Sequence, residues 1–171
     1  RSYSLRGRPP ELYDEQRHAV RAVGDAAGFR CHLLEGITGS GKTEVYLQLT
    51  ELALQQGQQT LLLLPAIGLP PQTVGRFAAR FDSRISVLHS SLSEGARLSA
   101  WEAARNGSAQ IVIGTRSAVF TPMPKLGLIL VDEEHDSAFK QQDGLRYSAR
   151  DVAVKRAQIE QIPIVLGSAT P

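Results

Sequence analysis

Residues Gly36-Ile-Thr-Gly-Ser-Gly41-Lys42-Thr43 satisfy the pattern G-x-x-x-x-G-K-[ST] at every fixed position, directly after an apolar run through Leu33 and Leu34. The glycines let the backbone curl so that successive N–H groups, those of Gly36, Thr38, Gly39, Ser40 and Gly41, point at phosphate oxygens. Lys42 adds a compact cation for the β and γ phosphates, and Thr43 offers a hydroxyl to Mg²⁺. The helix expected to follow presents its positive end to the same anion. A nucleoside triphosphate is the ligand these residues fit. An ordinary glycine-rich strand-to-helix turn is the bland alternative.

The second chemical signal is Leu128-Ile-Leu-Val131 running into Asp132-Glu-Glu-His135. A buried strand that ends in carboxylates can hold Mg²⁺ through Asp132 and use Glu133 to orient and deprotonate an attacking water. Acidic residues after a strand also occur in plain solvated loops. That alternative leaves unexplained a phosphate loop about ninety residues upstream, whose metal needs a second anchor. Lys42, Asp132 and Glu133 are therefore the expected catalytic residues, with Thr43 and Asp132 as the metal ligands.

The elements that must position these groups are legible as short apolar runs. Leu61 to Leu64, Ile111 to Ile113, Leu128 to Val131 and Ile164 to Leu166 read as strands buried on both faces of a parallel sheet. Helical spacing separates them. Val45, Leu49 and Leu52 lie at i, i+4, i+7, with Gly57 as a stop. Ser91-Leu-Ser-Glu94 has capping-box spacing and opens a helix through Leu98 and Trp101 that ends at Asn106-Gly107. A further helix is expected from Ala149 to Gln161, stopped by Pro163. Alternating strands and helices predict a three-layer α/β domain with a mainly parallel central sheet. The polar segments Gly36–Thr43, Pro65–Leu69, Gly114–Ser117, Asp132–His135 and Gly167–Thr170 then gather at the carboxyl ends of the strands, where such sheets bind ligands.

A chain of 171 residues with a formal charge of +2 fits one domain, and its charge alone does not establish a nucleic-acid partner. The cations are mostly arginine, which favours bidentate phosphate contacts. One cysteine, Cys31, precludes an internal disulfide and is expected to fill the core. His18, His32 and His89 lack metal-ligand spacing and are expected to be packing or surface residues. No apolar stretch approaches the ~18 residues of a membrane span. No basic and apolar leader precedes the domain, so a soluble, cytoplasmic protein with no membrane partner is expected. The chain opens on Arg1 and stops at Pro171 just after a strand-like run, so residues 1–171 are expected to be one lobe cut from a longer chain.

The phosphate loop with the Asp132–His135 run resembles the first RecA-like motor lobe of DEAH-type superfamily-two helicases. The likeness extends to Gln16 as an adenine-reading glutamine, Gly114-Thr-Arg116 as motif Ib and Ser168-Ala-Thr170 as motif III. Longer stretches, LLEGITGSGKTEVYL, VLHSSLSEGARLSAW, IVIGTRSAVFTP, VDEEHDSAFKQ, RYSARDVAVKRA and VLGSATP among them, resemble the PriA family of bacterial replication-restart helicases. That resemblance covers nearly the whole chain from about Leu12 onward. It implies an ATP-dependent, 3′ to 5′ DNA helicase that engages forked and single-stranded DNA in primosome assembly and replication restart. It also implies ATP and Mg²⁺ as cofactors. The implied partners are primosome proteins, single-stranded DNA-binding protein and a second RecA-like lobe of the same parent chain, which supplies arginines across the nucleotide. DNA-binding regions and that second lobe are expected outside these residues.

By the same resemblance Thr115 and Arg116 touch the DNA backbone, and His135, Ser168 and Thr170 couple the nucleotide site to motion. Phe139, Lys140, Arg146 and Tyr147, rings interleaved with cations, suit a single strand, since bases stack on rings while cations neutralise phosphates. The alternatives are ordinary: Thr115 caps a helix, Arg116 pairs with a surface carboxylate, Ser168 closes a turn, and the two rings pack beneath the domain. Two departures stand out. The chain has Pro65-Ala-Ile-Gly-Leu-Pro70 where the family reads P-E-I-G-L-T, and Ser148 where the family has histidine. The rival functions are the motor lobe of another superfamily-two translocase, such as a restriction-enzyme subunit, and a non-catalytic nucleotide-dependent interaction module.

Overall fold

Apolar runs of four residues without a polar side must be covered on both faces, and a sheet between two helical layers covers them. The computed structural model describes residues 14–25, 27–35, 39–65, 71–89, 91–133 and 148–168. Its strands are β1 (Arg30–Leu34), β2 (Gln59–Leu63), β3 (Ile85–Leu88), β4 (Ile111–Gly114), β5 (Leu126–Glu133) and β6 (Pro163–Ser168). They form one six-stranded sheet in the order β1-β6-β5-β2-β4-β3, and every pairing is parallel. The helices are α1 (Asp14–Gly24), α2 (Gly39–Gln55), α3 (Pro71–Arg80), α4 (Glu94–Arg105) and α5 (Ala149–Glu160), with a 3₁₀ turn at Arg116–Phe120.

Strand alternation divides the core. Leu62 of β2 joins Val45 and Leu49 of α2 and Phe77 of α3 on one face, while Leu61 and Leu63 join Ala104 of α4 and Ala153 and Ala157 of α5 on the other. All of β2 is buried, as the central position of the strand requires. The α/β architecture and the parallel sheet expected from the sequence are both present. The Val45–Leu52 helix is α2, and Gly57 just beyond it takes φ +73°, the left-handed conformation that ends a helix and favours glycine. α5 closes with Gln161 at φ 56°, and Pro163 opens β6 two residues on.

Two expectations need correction. Cys31 is exposed rather than buried. β1 is an edge strand, and alternation puts Cys31 and Leu33 on the face opposite the buried Leu34, where Leu33 is 58% exposed. The capping box at Ser91 is not formed either. Ser93 is the N-cap of α4, its Oγ accepting from the Ala96 N–H at 3.2 Å, so Glu94 sits in the first turn where the helix dipole favours it. Ser91 instead donates its backbone N–H to His89 Nδ1 at 3.2 Å.

A buried ion network binds α3 to α2. Glu44, next to Thr43, accepts from Arg80 Nη2 at 2.8 and 3.1 Å, from Arg76 at 3.3 Å and from Gln48 Nε2 at 2.9 Å. The Arg80 bridge carries the interaction because both side chains are largely removed from water, whereas the Arg76 head is more exposed and adds little. Glu44→Gln keeps the size and removes the charge. We expect it to cost roughly 2 kcal/mol and to lower the thermal midpoint by several degrees, read by circular dichroism.

Candidate nucleotide and nucleic-acid site

The parallel register aligns the carboxyl ends of three strands: Leu34 pairs with Gly167, Asp132 with Gly167, and Glu133 with Ser168. α2 leaves this edge with Lys42 in its opening turns. Lys42 Nζ lies 3.3 Å from Asp132 Oδ1 and 3.5 Å from the Ser168 carbonyl, joining residues 90 and 126 positions apart in the chain. Lys42 is only 3% exposed, so its charge works in a low-dielectric setting. An ammonium has three donors, and these two oxygens use two of them. The remaining proton suits a phosphate oxygen.

Asp132 is held from a second side. Tyr46, one helical turn after Lys42 and fully buried, donates its hydroxyl to Asp132 Oδ1 at 3.0 Å. This contact depends on Gly167. A Cβ at that position would collide with the Tyr46 hydroxyl and approach Asp132 Oδ1 to 3.3 Å. Lys42 and Tyr46 both engage Oδ1, and among the described residues Oδ2 is left as a hard oxygen. With the Thr43 hydroxyl it forms the donor type that magnesium takes, so the residues fit that ion.

Gln16 meets the start of α2 at this edge. It is buried in α1, and its Nε2 donates to the Gly41 carbonyl at 3.0 Å, which fixes α1 against the phosphate-loop backbone. Gly39, Ser40, Gly41 and Thr43 lie in the first turns of α2, and Glu133 is the last residue of β5. Thr115 follows β4 at the same sheet edge. Its N–H donates to the Leu88 carbonyl at 3.2 Å, and it occupies the N-cap position of the 3₁₀ turn without a side-chain cap bond. Arg116 opens that turn, half-buried. Ser148, standing where the resembled family has histidine, caps α5 by accepting from the Asp151 N–H at 3.4 Å. His32 is partly buried, and its pKa is lowered by desolvation first and by the Arg30 charge second.

Gly36, Thr38, His135, Phe139, Lys140, Arg146, Tyr147 and Thr170 lie outside the described residues, as do Ala66–Pro70 and the Glu133 side chain. The residue that the sequence analysis missed is Tyr46. One signal for it existed, since i+4 spacing puts Tyr46 on the same helix face as Lys42. What it bonds follows only from the approach of β5 and β6.

A parallel α/β sheet with a phosphate-loop lysine ion-paired to an aspartate near the carboxyl end of β5 is the arrangement of a nucleotide-binding α/β domain. Residues 13–171 match the family model for DEAD/DEAH box helicases, and the chain belongs to that family. It is a helicase motor lobe similar to part of the replication restart protein PriA. The Synechocystis protein is 54% identical over 95% of this chain, the Haemophilus influenzae protein 57% over 85%, and the Bacillus subtilis protein 46% over 95%. The chain spans about a fifth of these relatives, 20%, 20% and 21% of their lengths. Among solved structures, RecG bound to a three-way DNA junction superposes with a TM-score of 0.71 at 25% identity, covering 96% of this chain and 22% of RecG. The Pyrococcus furiosus Hef helicase domain shares the fold, with a TM-score of 0.62 at 20% identity, over 95% of this chain and 33% of that one.

Among the described residues no helix is long and apolar enough to cross a membrane.

Proposed function

We propose that this lobe binds ATP with Mg²⁺ and drives a 3′ to 5′ DNA helicase that acts at forked and single-stranded DNA in primosome assembly and replication restart. The observation that carries the reading is the meeting of Lys42, Asp132 and the Ser168 carbonyl at one strand edge. A solvated acidic loop or a plain glycine turn gives no reason for that convergence. In this reading the backbone N–H groups of Gly36 to Gly41 and the start of α2 hold the phosphates, and Lys42 neutralises the β and γ oxygens. Thr43 and Asp132 would hold magnesium, which would supply charge neutralisation at the phosphates. Glu133 accepts a proton from the water that attacks the γ phosphorus as the bond to the leaving diphosphate oxygen breaks. Gln16 steadies the loop and reads adenine. His135, Ser168 and Thr170 relay the state of the site.

DNA is assigned to Thr115 and Arg116, with Phe139, Lys140, Arg146 and Tyr147 as a sensing loop. The similarity to RecG, a protein seen bound to a three-way DNA junction, supports a DNA substrate by analogy. A cytoplasmic location, primosome proteins, single-stranded DNA-binding protein and the second RecA-like lobe follow from the resemblance to PriA. In the full-length enzyme, Phe139→Ala with Tyr147→Ala should raise the DNA concentration needed for ATPase stimulation, as stacking worth ~1–3 kcal/mol per base is lost. Unchanged stimulation in a normally folded variant removes the loop from the mechanism.

The isolated lobe tests the nucleotide reading. It should bind ATP or ADP weakly with Mg²⁺, measured by calorimetry, and turn over almost nothing by phosphate release. Transition-state arginines from a second lobe are worth ~10³ to 10⁵ in rate. Vigorous DNA-independent turnover overturns this division between lobes, and absence of nucleotide binding overturns the site.

A further inference from the structure

On the sheet face opposite α2, between α4 and the 3₁₀ turn, lies a cavity of ≈ 280 Å³ bordered by Leu88, His89, Arg97, Trp101, Ser117 and Phe120. Two large aromatic side chains border it while exposed to solvent, Trp101 at 37% and Phe120 at 61%. The described residues around it include Arg97 and His89 and no carboxylate. Arg105 lies 5.8 Å from the Trp101 ring centroid, within cation–π range, and is ion-paired to Glu102 at 2.8 Å, so it orders the indole without adding net charge. Two exposed aromatic faces with the Arg97 guanidinium and His89 on the same wall match single-stranded nucleic acid, whose bases stack and whose phosphates seek cations.

Continuity supplies the rest of the argument. Phe120 ends the same 3₁₀ turn that Arg116 begins, directly after Thr115. At about 2.0 Å per residue the turn carries the chain roughly 8 Å from the proposed backbone-contacting pair to the aromatic wall. The Thr115 N–H is tied to the carbonyl of Leu88, itself a wall of the cavity, so edge and cavity are held as one unit. We propose that the cavity is a base-stacking subsite. Single-stranded nucleic acid passing Thr115 and Arg116 places a base against Trp101 and Phe120, with a neighbouring phosphate at Arg97. The inference rests on the assignment of nucleic acid to the Thr115–Arg116 edge and extends it to a stacking site on the flank of the lobe.

Trp101 is the single tryptophan of the chain, so its fluorescence reports on this cavity alone. The probes are an oligodeoxythymidylate and an abasic oligomer of equal length, with binding followed independently by anisotropy of a labelled strand. Oligodeoxythymidylate should quench and shift Trp101 emission, whereas the abasic strand should bind more weakly and leave the emission unchanged. Phe120→Ala, at an exposed position, should melt like the parent and weaken oligodeoxythymidylate binding about 5- to 150-fold without altering abasic binding.

If Arg116→Ala weakens strand binding while emission stays flat and Phe120→Ala is neutral, the stacking subsite is wrong and the DNA edge stands. If neither strand binds, both assignments fail for this lobe. Emission that changes with chain concentration in the absence of DNA identifies the aromatic wall as a contact between copies and overturns the proposal.

Discussion

Glu133→Gln in the full-length enzyme is expected to leave ATP affinity within a few-fold of the parent and to lower single-turnover hydrolysis about 10²- to 10⁴-fold, the usual cost of losing a general base. Lys42→Ala should fail at the earlier step. The lysine makes a charge-assisted contact in a buried setting, 3.3 Å from Asp132 Oδ1 and 3.5 Å from the Ser168 carbonyl. Losing such a contact to a phosphate costs ~1.5–3 kcal/mol, or about 10- to 150-fold in triphosphate affinity. The alanine variant also leaves Asp132 without its buried counterion, so a lower melting temperature should accompany the weaker binding. Calorimetric nucleotide affinity and quenched-flow turnover separate the two variants. Equal loss of binding in both would show that Lys42 and Glu133 are misassigned. Full hydrolysis by Glu133→Gln would move the base to another residue.

What was legible in the sequence depended on how local the cause was. The phosphate loop is written in consecutive residues because a backbone that curls around phosphate needs glycines at fixed offsets. The central strands were legible because β2, β4, β5 and β6 are covered on both faces and so read as unbroken apolar runs. β3 was less so. As an edge strand it interrupts its apolar residues with Ser86, whose hydroxyl is satisfied by the Ala100 carbonyl at 2.9 Å. α3 carries a helical spacing in Val74 and Phe77 that continues to Phe81 just past its end, but Gly75 inside it weakens the helical pattern. Cys31 misled because an apolar neighbourhood in sequence does not reveal which strand is the sheet edge. At α4 the sequence offered two serines near the helix start, and the cap fell to Ser93 rather than Ser91. The Tyr46–Asp132 bond could not be read at all without knowing that β5 and β6 pair in register.

That bond yields the other large effect. Gly167→Ala should reduce ATPase activity of the full-length enzyme about 10- to 100-fold, because displacement of a catalytic group by about 1 Å can cost 10²-fold. The new Cβ would overlap the Tyr46 hydroxyl and lie 3.0 Å from Tyr46 Cζ, and the ring is packed at 1% exposure with little room to retreat. Either the tyrosine withdraws from Asp132 or β6 moves away from β5. Overpacking of this kind costs ~1–3 kcal/mol of stability. Tyr46→Phe alone removes the hydroxyl without the clash. It should raise the Mg²⁺ concentration needed for half-maximal nucleotide binding about 10-fold, as expected when an outer partner of a metal-binding carboxylate is lost. In the double variant the worst overlap is gone, so the two changes should be strongly non-additive, by ~0.5–3 kcal/mol. The stability of Gly167→Ala/Tyr46→Phe should exceed that of Gly167→Ala alone, measured by denaturant unfolding, while its Mg²⁺ requirement stays that of Tyr46→Phe. Strict additivity of the two substitutions would mean that Gly167 is not what lets Tyr46 reach Asp132. An unchanged Mg²⁺ requirement in Tyr46→Phe would reduce the hydroxyl to a packing contact.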